Sequence, residues 1–148
     1  MNEPPLTKLS TVAPQLHSKI PELKLLILFG SRARGDFNTQ SDWDLAVLYD
    51  AKLTKDRLND NFDSTLEVSN FLSELLGIYT DKLDIVELNR AGALISHFVA
   101  RDGKLVYERE AGEFEQFCNR ALLNKSDLQK IHHENLTTVH QFLKRWRA

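Results

Sequence analysis

Leu25-Leu26-Ile27-Leu28-Phe29-Gly30-Ser31 sets five apolar residues directly before a Gly-Ser pair. An apolar run of this kind, without alternation, predicts a strand buried on both faces. Gly30-Ser31 then falls where the strand ends and a short helix or turn begins. Backbone N–H groups at a helix start lack partners within the helix, and glycine lets the main chain approach a phosphate with no side chain in the way. Ser31 adds a hydroxyl donor, and Arg32 and Arg34 add positive charge that can meet phosphate or serve as ordinary surface charge. Gly-Ser is also a common turn dipeptide, so the pair acquires meaning only from its neighbours in the chain.

Ten residues further on, Asp42-Trp43-Asp44 opens a second apolar run, Leu45-Ala46-Val47-Leu48-Tyr49. Alternate residues of a strand project to one face about 6.6 Å apart, so two carboxylates so placed can share ions. Asp84 is a third candidate, because it interrupts the otherwise apolar strand pattern of Lys82-Leu83-Asp84-Ile85-Val86-Glu87. Asp81 competes with it but lies in the preceding polar turn, where it reads as solvated. Two negative charges about 5 Å apart repel by roughly 3 kcal/mol at an effective dielectric of 20, so converging acids require cations, protonation or basic partners. Magnesium bound together with a triphosphate meets that requirement, as two ions about 3.5 to 4 Å apart serving an in-line displacement.

The stretch Gly30-Ser31-Arg32-Ala33-Arg34-Gly35 through Ser41-Asp42-Trp43-Asp44-Leu45 resembles the signature of the DNA polymerase β-like nucleotidyltransferase superfamily. The short chain is similar, more narrowly, to the minimal nucleotidyltransferases that act as antitoxins in HEPN/MNT toxin–antitoxin pairs. The resemblance runs from the first strand to Asp84 and does not extend residue by residue into the last third. It implies an α/β fold, with a mixed sheet flanked by helices and a helical C-terminal extension, that uses ATP with magnesium. It also implies phosphate binding by Gly30 and Ser31, metal coordination by Asp42 and Asp44, and a third acid at Asp84 that ligates metal or takes the acceptor's proton. In the antitoxin branch it implies transfer of AMP to a tyrosine hydroxyl of a HEPN ribonuclease partner, which inactivates it, in a hetero-oligomer of the two. Two other functions fit the same motif. A small-molecule nucleotidyltransferase of the antibiotic-modifying kind usually has additional structure around its acceptor, and a noncatalytic antitoxin would mask its toxin by binding alone.

With 148 residues and 42% hydrophobic content, the chain is expected to form one domain, its core at about 20–110 and its C-terminal helices at about 111–147. A net charge of -2 argues against nucleic acid as a direct partner, since a sequence-independent grip needs clustered cations. The lone Cys118 permits no internal disulfide and, among Phe114, Phe117 and Ala121, reads as a reduced core residue. Met1-Asn2-Glu3-Pro4-Pro5 lacks the features of a signal peptide, and no apolar run is long enough to span a bilayer, so a cytoplasmic protein is expected. His17, His97, His132, His133 and His140 do not match a zinc-ligand spacing. The Gly-Ser turn lacks the glycine–lysine signature of a P-loop, and Ser31 lacks a hydrolase elbow.

Strand and helix signals alternate along the chain. A first helix is expected around Leu9, Val12, Leu16 and Ile20, bounded by Pro21. Leu58, Phe62, Leu66, Phe71, Leu72, Leu75 and Leu76 form a helical stripe that Gly77 ends. Leu94, Ile95, Phe98 and Val99 mark a helix stopped by Asp102-Gly103, before a short strand from Lys104 to Tyr107. Phe114, Phe117, Ala121 and Leu122 make a further stripe. Ser126 and Gln129 then suggest a capping box for a last helix through Leu128, Ile131, Asn135, Val139, Phe142 and Trp146. The end of that helix carries Lys144, Arg145 and Arg147, and its aromatic edge is either core or a surface for a partner.

Overall fold

The computed structural model describes residues 13–53 and 64–134. In chain order its elements are α1 (Ala13–Lys19), β1 (Leu23–Phe29), α2 (Ser31–Arg34), β2 (Trp43–Tyr49), α3 (Ser64–Leu76), β3 (Leu83–Glu87), α4 (Ala93–Asp102), β4 (Lys104–Glu108), α5 (Glu113–Ala121) and α6 (Lys125–Glu134). The expected positions Leu9, Val12, Leu58 and Phe62, and the stretch from Asn135 through Trp146 to Arg147, lie outside the described residues.

The strands form one four-stranded sheet in the order β3-β2-β1-β4. β1 runs antiparallel to both β2 and β4, while β2 and β3 are parallel. A parallel neighbour requires the chain to cross over a face of the sheet, and α3 lies within that crossover. The mixed sheet implied by the sequence is thus the observed one.

β1 is central, and its apolar run fills both faces as expected. Leu26 and Leu28 join Leu16, Ile20, Leu45, Val47, Val68 and Leu72 in one buried cluster, under α1 and α3. Leu25, Ile27 and Phe29 join Ala46, Phe98, Val99, Phe117 and Ala121 in a second, under α4 and α5. A register irregularity between Leu23 and Leu25 explains why Leu23 shares a face with Leu26. Burying a leucine or isoleucine side chain contributes about 1.5–3 kcal/mol, so this strand anchors both layers.

The helix stops follow local chemistry. Gly77 takes φ 68, and Ile78 N–H donates to Ser73 C=O at 3.1 Å, the two marks of a Schellman ending for α3. Gly103 N–H returns to Val99 C=O at 2.8 Å. A side chain at Gly103 would lie 2.6 Å from Ile27 Cγ2, so glycine there lets the end of α4 press onto β1. The start of α6 differs from expectation: Asn124, not Ser126, caps it. Asn124 Oδ1 accepts from Asp127 N–H at 2.8 Å, and its carbonyl from Leu128 N–H at 3.1 Å. Asparagine two residues earlier satisfies the first-turn donors, leaving Ser126 inside the helix.

Candidate active site

The site is assembled where β1 ends and β2 and β3 begin. α2 is a single turn held between two glycines of positive φ, Gly30 at 72° and Gly35 at 93°. Gly30 C=O accepts from Ala33 and Arg34 N–H at 3.1 and 3.0 Å, and Ser31 C=O from Gly35 and Asp36 N–H at 2.8 and 3.1 Å. With ψ −156, Gly30 occupies a region of backbone space that is essentially glycine's alone. Ser31 is half-buried at the start of this turn.

Directly beneath lies Asp44. Its Cα pairs with that of Phe29 across β1 and β2. A Cβ placed on Gly30 would fall on the Asp44 carboxylate, 3.0 Å from Cγ and 3.1 Å from Cβ. The Gly-Ser turn and the acid motif, ten residues apart in the chain, therefore meet in space because the glycine has no side chain.

Asp84 completes the arrangement: its Cα is the direct register partner of Asp44 in the parallel β2–β3 pair. Strand alternation puts Asp44 on the face of Ala46 and Asp84 on that of Val86, and both of those pack in the cluster under α4 and α5. The two acids are each half-buried and share that face. Asp42 is exposed on the loop that leads into β2, and Asp81 is exposed in the 3₁₀ turn Thr80–Lys82 before β3. Among the described residues no three His, Cys, Asp or Glu side chains are already drawn together as a metal-holding group. The backbone thus supplies the convergence of Asp44 and Asp84, while Asp42 stands on the loop two residues before Asp44.

The two arginines of α2 have well-defined partners. Arg32 donates to Ser41 C=O through Nη2 at 2.8 Å and Nε at 3.3 Å, and reaches Asn38 C=O at 3.5 Å. Its guanidinium also stacks 4.2 Å from the Trp43 ring centroid and 4.9 Å from that of Phe37. Arg34 Nε lies 3.5 Å from Asp36 Oδ2, and its Nη1 3.9 Å from Asp102 Oδ2.

Sequence reasoning did not find the groups behind these. Asp102 takes a two-pronged contact from Arg101, Nη2 to Oδ2 at 2.7 Å and Nε to Oδ1 at 2.9 Å. That hydrogen-bonded guanidinium, with Arg34 behind it, holds the Asp102 carboxyl below the usual carboxylate range. Asn89, just past β3, ties both the N–H and C=O of Tyr49 through its amide at 2.8 and 2.9 Å, closing the far end of β2. His97 is buried, and its Nδ1 accepts from Leu123 N–H at 3.0 Å. Burial pushes its pKa below the ordinary histidine value. Burial acts in the opposite direction on the Cys118 thiol, pushing it above its ordinary value, in keeping with a core role. A cavity of about 220 Å3 lined by Leu48, Leu88, Ser96, Phe117, Arg120 and Leu123 opens at the other end of β2, away from the acids.

Residues 12–112 match the family described as "Polymerase beta, Nucleotidyltransferase". The chain is 44% identical over 143 residues to a protein adenylyltransferase, MntA, of Aphanizomenon flos-aquae (strain 2012/KM1/D3), covering 97% of this chain and 95% of that one. Among solved structures, it is similar to a toxin–antitoxin crystal structure with AMP-PNP, at 24% identity and a TM-score of 0.60, covering 93% of this chain and 98% of the matched one. It is also similar to a complex of tri-AMPylated Shewanella oneidensis HEPN toxin with MNT antitoxin, at 22% identity and a TM-score of 0.56, covering 93% of this chain and 97% of the matched one. At these identities the structural matches speak for the fold. No helix among the described residues is long and apolar enough to cross a membrane.

Proposed function

Since the chain belongs to the polymerase β nucleotidyltransferase family, we propose that it is a one-domain cytoplasmic antitoxin that transfers AMP from ATP to a tyrosine hydroxyl of a HEPN-type ribonuclease toxin, silencing it. The observation that carries this reading is the Asp44–Asp84 register pair lying under the Gly30 turn, which brings acids and phosphate-binding backbone to one end of the sheet. The relative named as a protein adenylyltransferase supports the acceptor class.

In this reading the backbone at Gly30 and the Ser31 hydroxyl hold the β- and γ-phosphates, and α2 adds positive field through Arg34. Asp42 and Asp44 would hold magnesium, joined by Asp84 unless that carboxylate serves as the base, and the fit is chemical: hard carboxylate oxygens on half-buried and exposed positions suit a hard cation that keeps part of its water shell. When bound, magnesium neutralises charge on the phosphates and stabilises attacking and leaving oxygens. The acceptor oxygen attacks the α-phosphorus in line, forming the new P–O bond as the bond to the β,γ-pyrophosphate breaks. Pyrophosphate leaves with the electron pair, and the phenolic proton passes to Asp84 or to water.

Intact-mass spectrometry of the neighbouring-gene protein, incubated with this chain, ATP and magnesium, tests the reading. One or more added AMP masses are expected, absent with the Asp42→Asn, Asp44→Asn double variant. A stable complex without added mass would replace transfer by masking, and neither mass nor complex would direct attention to small hydroxylated acceptors.

A further inference from the structure

The geometry points to Arg32 as the positioning residue for Asp42, a claim that rests on the proposed transferase activity and assigns the guanidinium a structural target in place of phosphate. Asp42 stands between two residues that this one guanidinium grips. On its N-terminal side, Ser41 C=O receives two N–H donors of Arg32, at 2.8 and 3.3 Å. On its C-terminal side, the Trp43 ring lies 4.2 Å beneath the same cation. A carbonyl held by two convergent donors cannot rotate, so the peptide plane joining Ser41 to Asp42 is fixed, while Trp43 is buried in the core. Asp42 itself is exposed, so its backbone orientation has to be supplied by its neighbours.

The loop before it is built to receive this clamp. Asn38 and Ser41 close a small turn: Ser41 Oγ accepts from Asn38 N–H at 3.0 Å, Asn38 Oδ1 from Gln40 N–H at 2.8 Å, and Asn38 C=O from Ser41 N–H at 3.1 Å. Arg32 reaches the same Asn38 carbonyl at 3.5 Å, and Phe37 covers the guanidinium from outside at 4.9 Å. Lysine cannot reproduce a planar two-donor contact stacked against rings, although it keeps the charge.

The test compares Arg32→Lys, Arg32→Ala and Phe37→Ala with the unaltered chain, using Mn2+ as a spectroscopic probe, ATP binding without metal, and amide exchange at Gln40 and Ser41. Both Arg32 variants are expected to weaken Mn2+ binding by about 10–100-fold, the usual effect of losing a partner that orients a ligand, with metal-free ATP affinity changed less than about 3-fold. Exchange at Ser41 rises in step. Phe37→Ala, which removes a surface ring, gives a smaller shift and adds little on top of Arg32→Ala, since both act through one clamp. Unchanged Mn2+ binding in Arg32→Lys overturns the proposal, as does a loss of metal-free ATP affinity in Arg32→Ala that Arg32→Lys restores, which would mark a phosphate contact. If the unaltered chain binds Mn2+ but transfers no AMP, the transferase reading fails separately, and the Mn2+ comparison still decides the role of Arg32.

Discussion

The Asp44 carboxylate occupies the space that a side chain on Gly30 would take, so the turn after β1 and the acid at the start of β2 interlock. Gly30→Ala should therefore fail twice. The backbone at φ 72, ψ −156 resists any side chain at a cost of about 1–3 kcal/mol, and the methyl group displaces the acid. Urea unfolding should show the lost stability. At a temperature where the variant is folded, AMP transfer should still be down by about 100-fold or more, the usual consequence of displacing a group by an ångström.

Asp44 and Asp84 oppose each other across a parallel pair, and like charges so placed destabilise a sheet by up to about 1 kcal/mol. Asp84→Asn is expected to match or exceed the unaltered protein in thermal stability in EDTA. Added Mg2+ with ATP should raise the melting temperature of the unaltered chain far more than that of the variant. An equal rise in both would remove Asp84 from the cation site.

Burial disfavours the charged form of His97, whose Nδ1 accepts from Leu123 N–H, and its folded pKa lies below the ordinary 6.5. The unfolded chain then takes up a proton before the folded one does. Stability is undiminished above pH 6.5 and declines as the pH falls from there towards the folded value, below which this contribution is flat. His97→Asn keeps an acceptor for Leu123 and should flatten that segment of the stability–pH curve. Chemical denaturation between about pH 5 and 7.5 would check it, conditions chosen around the ordinary histidine range.

Asn89→Ala removes both hydrogen bonds to Tyr49 and leaves a strand end unsatisfied, with an expected loss of about 1–3 kcal/mol. Asn89→Asp keeps the acceptor but not the donor and should fall between. Transfer by folded Asn89→Ala should be close to normal, because Tyr49 lies at the opposite end of β2 from Asp44.

What could be read from the sequence was what is local. The run through Phe29, the turn at Gly30-Ser31 and the strand opened by Asp44 are contiguous patterns, and each forms as read. The helix stop at Gly77 is equally local. The register that sets Asp84 against Asp44 is not, because it depends on a crossover of 33 residues between Tyr49 and Leu83, and the apolar pattern of Lys82–Glu87 locates a strand without naming its partner. For Arg32 the sequence leaves phosphate contact and surface charge both open, because it shows a guanidinium but not the carbonyl of Ser41 that it meets. Asn89, Asp102 and His97 act on groups far along the chain, and no spacing announces them. Ser126 reads as a cap in the sequence, and the structure uses Asn124 two positions earlier, where Oδ1 accepts from Asp127 N–H.

β3 lies at an edge of the sheet, and every residue in it is half-buried, whereas β1 and most of β2 are sealed inside. An edge strand of that kind frays before the interior opens. Because Asp84 rides on it and Asp44 does not, warming should silence the enzyme while its spectroscopic fold is still whole, and cooling should restore it. The site would then act as a thermal fuse: under the proposed transfer, acceptor made after the rise in temperature would go unmodified several degrees before the chain denatures.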